Sequence, residues 1–289
     1  MPENLVKKLF KALHELIDDK NIVALGQCDF KENPYLCHYT QIESLKKILE
    51  SKIFYIGSAY QMNDKTEHSY VYDLAKAILV TMGIKEECIE SFVDEVNSAI
   101  FDYYIWSFSA NEDSQALNHY GNVALKFRTE KIYQSLTQKF CPLDLKSASS
   151  NDALVMPLKV CYNIESQVAI LNILMCKYVA SLCLPKKESH DIKMEVLTHL
   201  AMLSTFFKDP LYYQEEEIRL VLLKTSNDNK PHPEKIINDK RKLIANITPD
   251  TLEEIRVFKD AENRIPEIKT FLSNSEFNNV KVELTRLGY

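Results

Sequence analysis

The chain has 289 residues, 46% of them apolar, enough to bury a sizeable core in one large domain or two small ones. A formal net charge of −6 excludes steering to nucleic acid or anionic membranes by the mean field and leaves only a local basic groove for such contacts. Glycine is scarce (5 residues), and neither a G-x-G-x-x-G nor a Walker A pattern occurs, so a P-loop or Rossmann dinucleotide site has no motif to stand on.

Residues 3 to 19 carry Leu5, Leu9, Phe10, Leu13, Leu16 and Ile17 at helical spacing, which predicts an amphipathic helix. The stretch is too charged for the apolar region of a signal peptide. Seven scattered cysteines form no C-x-x-C pair and read as reduced thiols, so a cytoplasmic location is expected. No apolar run reaches about 18 residues, so no membrane span is predicted.

From Leu36 to Glu67 the chain reads LCHYTQIESLKKILESKIFYIGSAYQMNDKTE. A strand over 35–39, a helix over 42–51 and a strand over 53–56 lead to a loop holding Asn63, Asp64 and Glu67. Thr40 is the expected N-cap, with Glu43 as capping-box partner. Helices are predicted over 67–82 and 85–101, with a break near Gly83. An aromatic strand follows over 101–109, then a short helix from Ser114 to Tyr120, a Gly121-Asn122 turn and a strand over 123–127. Next come a helix over 131–139, a polar loop over 144–152 and a strand over 154–162 that Pro157 assigns to an edge or a bulge. Apolar helices follow over 166–183 and 191–207, then a strand over 215–223 and a polar excursion over 227–242. The chain closes with a strand over 254–258, a helix over 264–273 and a strand over 280–284. Short strands separated by one or two helices predict an α+β fold rather than a doubly wound parallel sheet.

Polar residues gather at strand ends: His38-Tyr39, then Asn63-Asp64 with Glu67, then His119-Tyr120, then Glu215-Glu216-Glu217 with Arg219. Strand alternation sets Glu215, Glu217 and Arg219 on one face, with Ile218, Leu220 and Leu222 on the core face; Glu216 then falls on the wrong side and reads as dispensable. Each cluster also has a plain structural reading: a solvated ion-paired face, a packed histidine, a turn. Lys126, Arg128 and Lys131 with Tyr133 read as a solvated face before a nucleic-acid contact. A metal site from His38, His119 and the glutamates lacks ligand spacing, and no metal is assigned.

The order H-Y-T, helix, I-L-E-S, strand, N-D-x-x-E, S-F-S, H-Y, K-V-x-Y, K-x-x-x-Y-x-x-E-x-E-x-R-L resembles the bacterial domain-of-unknown-function 2971 family. The residues concerned are His38, Tyr39, Thr40, Asn63, Asp64, Glu67, Ser107 to Ser109, His119, Tyr120, Lys159, Val160, Tyr162, Lys208, Glu215, Glu217, Arg219 and Leu220. Two departures stand out: Lys65 where the family has Pro after N-D, and Leu117 where it has Trp. The opening segment more distantly resembles ADP-ribosyltransferases, including their DNA-targeting toxin branch.

That resemblance implies a split pair of small β-sheets flanked by helices, with NAD in the cleft between them. The organisation expected is a helical extension over 1–34 and one ADP-ribosyltransferase-like domain over 35–289, with the helices at about 165–207 read as an insertion. The resemblance also implies transfer of ADP-ribose from NAD to a nucleic-acid or protein acceptor, or hydrolysis of NAD, in a toxin or phage-defence effector. Glu217, then Glu215, with His38 are the catalytic candidates. His38, Tyr39, Thr40, Tyr55, Tyr60, Asn63, Asp64 and Arg219 are the NAD-binding candidates, and His119 and Tyr120 lie on the acceptor side. A non-catalytic nucleotide- or protein-sensing module and a metal-dependent nuclease or hydrolase are the alternatives.

Overall fold

A computed structural model describes residues 19–61, 65–99, 101–141, 153–224 and 234–286. In chain order the elements are α1 (Asp19–Gly26), β1 (Tyr35–Thr40), α2 (Ile42–Ser51), β2 (Ile53–Ser58), α3 (Lys65–Thr81), α4 (Glu86–Ser98), β3 (Tyr103–Ser109), β4 (Val123–Arg128) and α5 (Thr129–Phe140). There follow β5 (Ala153–Lys159), α6 (Ile164–Ser181), α7 (Lys186–Ser204), β6 (Glu217–Lys224), β7 (Glu234–Ile237), β8 (Lys240–Asn246), β9 (Leu252–Val257), α8 (Ile265–Ser273) and β10 (Lys281–Leu284). The expected α+β class is what the structure shows. The helix predicted over 3–19 lies almost wholly outside the described residues.

The chain divides into two compact units, each assembled from three separate segments. One comprises Met1–Gln27, Met62–Asp102 and Val160–Tyr212, and its described elements are the helices α1, α3, α4, α6 and α7. Val71, Ala75 and Leu79 of α3, Leu171, Leu174 and Tyr178 of α6, and Val196, Leu200 and Leu203 of α7 recur at helical spacing and are buried. The helices expected as an insertion at 165–207 belong to this unit together with α1, α3 and α4. Within it Gln167, fully buried, bonds the carbonyls of Cys161 (2.7 Å) and Lys208 (2.9 Å) and accepts from the Tyr70 hydroxyl (2.7 Å). Glu67 and Lys208, which share the family-like motif, form a largely buried ion pair at 3.6 Å.

The other unit comprises Cys28–Gln61, Tyr103–Lys159 and Tyr213–Tyr289 and holds the sheet. The ten strands among its described residues form one branched network, not the two separate small sheets expected. The main path is β10-β9-β4-β1-β3-β2-β8-β7, and β6 adds to β3 with β5 beyond it. β3 is the branch point. One edge pairs with β6 over the whole strand, from Tyr103 opposite Leu223 to Ser109 opposite Glu217. The other edge is shared: β1 takes the end at Ser109, opposite Cys37, and β2 takes the start at Tyr104 and Ile105, opposite Ser58 and Gly57. The sheet forks between them. Among the described residues β5 pairs only with β6, which puts Pro157 in an edge strand there.

Strand alternation gives the sheet one apolar face and one mixed face. Leu36, Trp106, Phe108, Leu125, Phe127, Leu220 and Leu222 enter the main core, together with Leu45 and Leu49 of α2, Ile132 and Leu136 of α5, and Ile268 and Leu272 of α8. The opposite face carries Cys37, Tyr39 and Ala124 with Leu117 and Phe258 in a smaller cluster. Ion-paired residues flank that cluster: Lys126 lies opposite Glu254, and Arg256 contacts Glu254 (2.7 Å), Asp113 (3.0 Å) and Glu112 (2.6 Å).

Two local expectations are corrected. Thr40 ends β1, so the N-cap of α2 is Gln41, which makes no side-chain cap; the Ile42 amide bonds instead to the Asn122 side chain at 3.3 Å. The Gly121-Asn122 turn thus caps a helix distant in sequence. A β-carbon at Gly121 would lie 2.0 Å from the Thr40 backbone, so the close approach requires glycine there. The excursion over 227–242 contains a hairpin, β7–β8, joined by Asn238 and Asp239, both at positive φ (50° and 60°), as a two-residue turn of this kind demands.

Candidate functional site

β6 begins at Glu217, later than predicted, because Glu216 adopts a left-handed backbone (φ 44°) and Pro210–Glu215 forms a 3-10 turn. Glu217 and Arg219 do share a face of β6, and Ile218, Leu220 and Leu222 take the core face. Glu215 belongs to the turn, not the strand. Both glutamates are buried, at 7% and 6% exposure, and Arg219 is fully buried. Arg219 grips Glu217 by two parallel bonds, Nε to Oε1 and Nη2 to Oε2, each 2.9 Å. Burial lowers the pKa of Arg219 to about 9, which leaves the guanidinium charged at neutral pH.

The turn is held from β3. Ser109 donates its hydroxyl to the Glu215 carbonyl (2.7 Å), and the Ala110 amide donates to the Glu216 carbonyl (2.9 Å). The Asn111 side chain donates to Glu216 Oε1 (3.1 Å). Tyr39 fixes the facing loop, its hydroxyl donating to the Asn111 carbonyl (2.7 Å) and accepting from the Ser114 amide (2.9 Å). Burial raises the Tyr39 pKa well above the usual phenol range, so the hydroxyl keeps its proton. Between loop and turn opens a cavity of about 630 Å³, lined by Asn111, Asp113, Ser114, Gln115, Ala116, Tyr213, Gln214 and Glu216. Glu216, set aside in the sequence, is the glutamate of the triplet that lines it.

His38 does not join this group. Cys37, Ser109 and Glu217 lie in register across β1, β3 and β6, so their side chains share one face and His38 points to the other. Its ring packs edge-on against Phe54 (4.7 Å), Phe108 (6.1 Å) and Trp106 (6.4 Å) on the core side. Its Nδ1 lies 3.0 Å from the Ser107 carbonyl. Ser107 sits where β1 has left β3 and β2 has not yet joined, so neither strand pairs with it there. Of the two neutral tautomers only the Nδ1–H form donates to that carbonyl. Burial also lowers the His38 pKa, which keeps the ring neutral. His38 therefore closes the fork rather than a catalytic pair with Glu217.

The remaining candidates are dispersed. Thr40 pairs with Val123 at the end of β1. Tyr55 lies on β2 with its hydroxyl 3.2 Å from Lys235 Nζ, not among the cavity residues. Tyr60 falls in the short 3-10 turn Ala59–Gln61, and Asn63 and Asp64 lie outside the described residues. His119 packs on Tyr120 (3.9 Å) in the 3-10 turn after Ser114, and both are exposed. Cys37, which shares the Glu217 face, is no nucleophile: burial pushes its thiol up to about 12. Among the described residues no group of His, Cys, Asp and Glu is arranged to hold a metal ion, and no helix is long and apolar enough to cross a membrane.

The class that emerges is an α+β protein with a branched, largely antiparallel sheet and a polar cavity at the β3–β6 end. Set against protein-family models, curated proteins and solved structures, the chain matches none of them.

Proposed function

We propose that the cavity between Asn111 and Glu216 binds NAD and that the chain breaks the nicotinamide–ribose bond, passing ADP-ribose to a macromolecular acceptor or to water. The observation that carries the reading is a glutamate, Glu216, lining the same cavity of about 630 Å³ as Tyr213. That volume lies in the range of about 300–1,000 Å³ usual for small-molecule sites. The motif order that resembles ADP-ribosyltransferases supports the same reading.

Cleavage of this bond develops positive charge on the ribose, as in glycoside hydrolysis, and a carboxylate beside it stabilises that charge. Glu216 takes this role because it faces the cavity, where Glu217 has both oxygens bound to Arg219. The Glu217–Arg219 pair anchors the turn that presents Glu216. Tyr213 stacks on the departing nicotinamide ring.

The test is release of nicotinamide from NAD by purified protein. Glu216→Gln, at an exposed position, lowers the rate at least about a hundredfold and leaves the fold intact. No release by the wild type, or an unchanged rate in Glu216→Gln, would overturn the proposal. The same clamped Glu217 favours a second reading, a module that binds the nucleotide without chemistry. It is distinguished by NAD binding without nicotinamide release.

A further inference from the structure

Glu216 and Glu217 are neighbours in opposite electrostatic settings. Glu217 is buried and neutralised by the two bonds from Arg219. Glu216 is exposed, and among the described residues it has no ion-pair partner. Its side-chain bond comes from an uncharged amide, Asn111 Nδ2 to Oε1 at 3.1 Å. Asn111 is itself fixed at every polar group. Its backbone amide donates to Ser109 Oγ (3.0 Å), its Oδ1 accepts from the Asp113 amide (3.0 Å), and its carbonyl accepts from the Tyr39 hydroxyl (2.7 Å). With Oδ1 committed, Asn111 presents its nitrogen to Glu216. The carboxylate is held in place without being neutralised.

The cavity wall adds no positive charge. Among the described residues its lining contains no Lys, Arg or His. Asp113, the second lining carboxylate, pairs with Arg256 at 3.0 Å, and that guanidinium is shared with Glu112 (2.6 Å) and Glu254 (2.7 Å). Gln115, Gln214 and the Tyr213 ring, which is 60% exposed, are uncharged parts of the wall. A carboxylate and an aromatic face each attract a cation, and a phosphate set against the same carboxylate is repelled. NAD is cationic at its nicotinamide ring and anionic at its pyrophosphate. The cavity complements the first and opposes the second.

On the NAD reading above, on which this inference rests, we propose that the cavity takes only the cationic nicotinamide–ribose half of its substrate. Nicotinamide riboside, which has no phosphate, is then a substrate alongside NAD. In its hydrolysis the bond between the anomeric carbon and the ring nitrogen breaks with its electron pair on the ring, which leaves as neutral nicotinamide. The oxygen of water bonds the anomeric carbon, and one proton passes to solvent.

Calorimetric titration of the full chain compares 1-methylnicotinamide, a cation with no ribose to cleave, with nicotinamide, the same ring uncharged. The cation binds at least about fivefold tighter. Glu216→Gln removes the difference, and so does Gln115→Lys, which sets a positive charge at an exposed lining position, each with the melting temperature kept. Nicotinamide release is then measured from both substrates, and kcat/KM for the riboside is no less than about a tenth of that for NAD. An affinity ratio below about fivefold, or a ratio that either variant leaves unchanged, defeats the cation site. A larger advantage for NAD over the riboside defeats it as well, since the pyrophosphate would then be bound. If the wild type releases nicotinamide from neither compound, the reaction proposed for the cavity fails, and the two affinities still decide whether the cavity selects a cation.

Discussion

Removing Arg219 provides the sharpest test of how the Glu215–Glu217 turn is held. The guanidinium is fully buried and its partner Glu217 is 6% exposed. Arg219→Met keeps the volume but leaves a buried carboxylate without its two 2.9 Å donors. Breaking one side of a buried pair costs about 3–5 kcal/mol, whereas replacing both partners by apolar groups is about neutral. At about 2–4 °C per kcal/mol for a chain of this size, Arg219→Met lowers the melting temperature by roughly 10 °C. The double variant Glu217→Leu/Arg219→Met recovers most of that loss. Trp106 is the only tryptophan, it is 1% exposed, and it lies opposite Leu220, next to Arg219. Its fluorescence therefore reports this sheet directly. A single variant melting within about 2 °C of wild type, or a double variant falling as far as the single, would refute the account of the pair.

Two further outcomes follow from neighbouring residues. The folded pKa of His38 lies below its ordinary 6.5, so the unfolded chain binds the extra proton first. Its contribution is complete above about pH 6.5 and is lost as pH falls from there toward the folded pKa. His38→Phe is less stable at pH 7 by about 1–3 kcal/mol, from the unpaired Ser107 carbonyl, and its urea midpoint varies less than the wild type's between pH 7 and 5. Tyr39→Phe removes the acceptor of the Ser114 amide, so hydrogen exchange at Ser114 quickens while exchange at the β3–β6 amides does not. Equal acceleration along β3 would mean that Tyr39 supports the whole sheet instead.

Much of this was legible in the residues. The apolar alternation at Ile218, Leu220 and Leu222 placed Glu217 and Arg219 together, and Pro157 marked an edge strand. What failed was parity between strands. His38 stands at a strand end as read, but its face depends on which residue of β3 lies opposite β1, and that register comes from contacts about 70 residues away. Glu215 and Glu216 were misplaced because strand alternation does not apply across a residue at φ 44°. The β7–β8 hairpin had a local signal, Asn238-Asp239, hidden within a polar stretch. The cavity had none, since its walls come from two loops about 100 residues apart.

The chain passes between its two units five times, after Gln27, Gln61, Asp102, Lys159 and Tyr212. During synthesis this imposes a delay. β3 leaves the ribosome well before β6, its partner from Tyr103–Leu223 to Ser109–Glu217. At about 5–20 residues per second the wait is on the order of ten seconds. Through that interval an aromatic strand, YYIWSFS, has one edge uncovered and is open to pairing with other chains. Neither unit is a contiguous stretch of sequence, so a nascent chain cut short within this interval holds neither one whole.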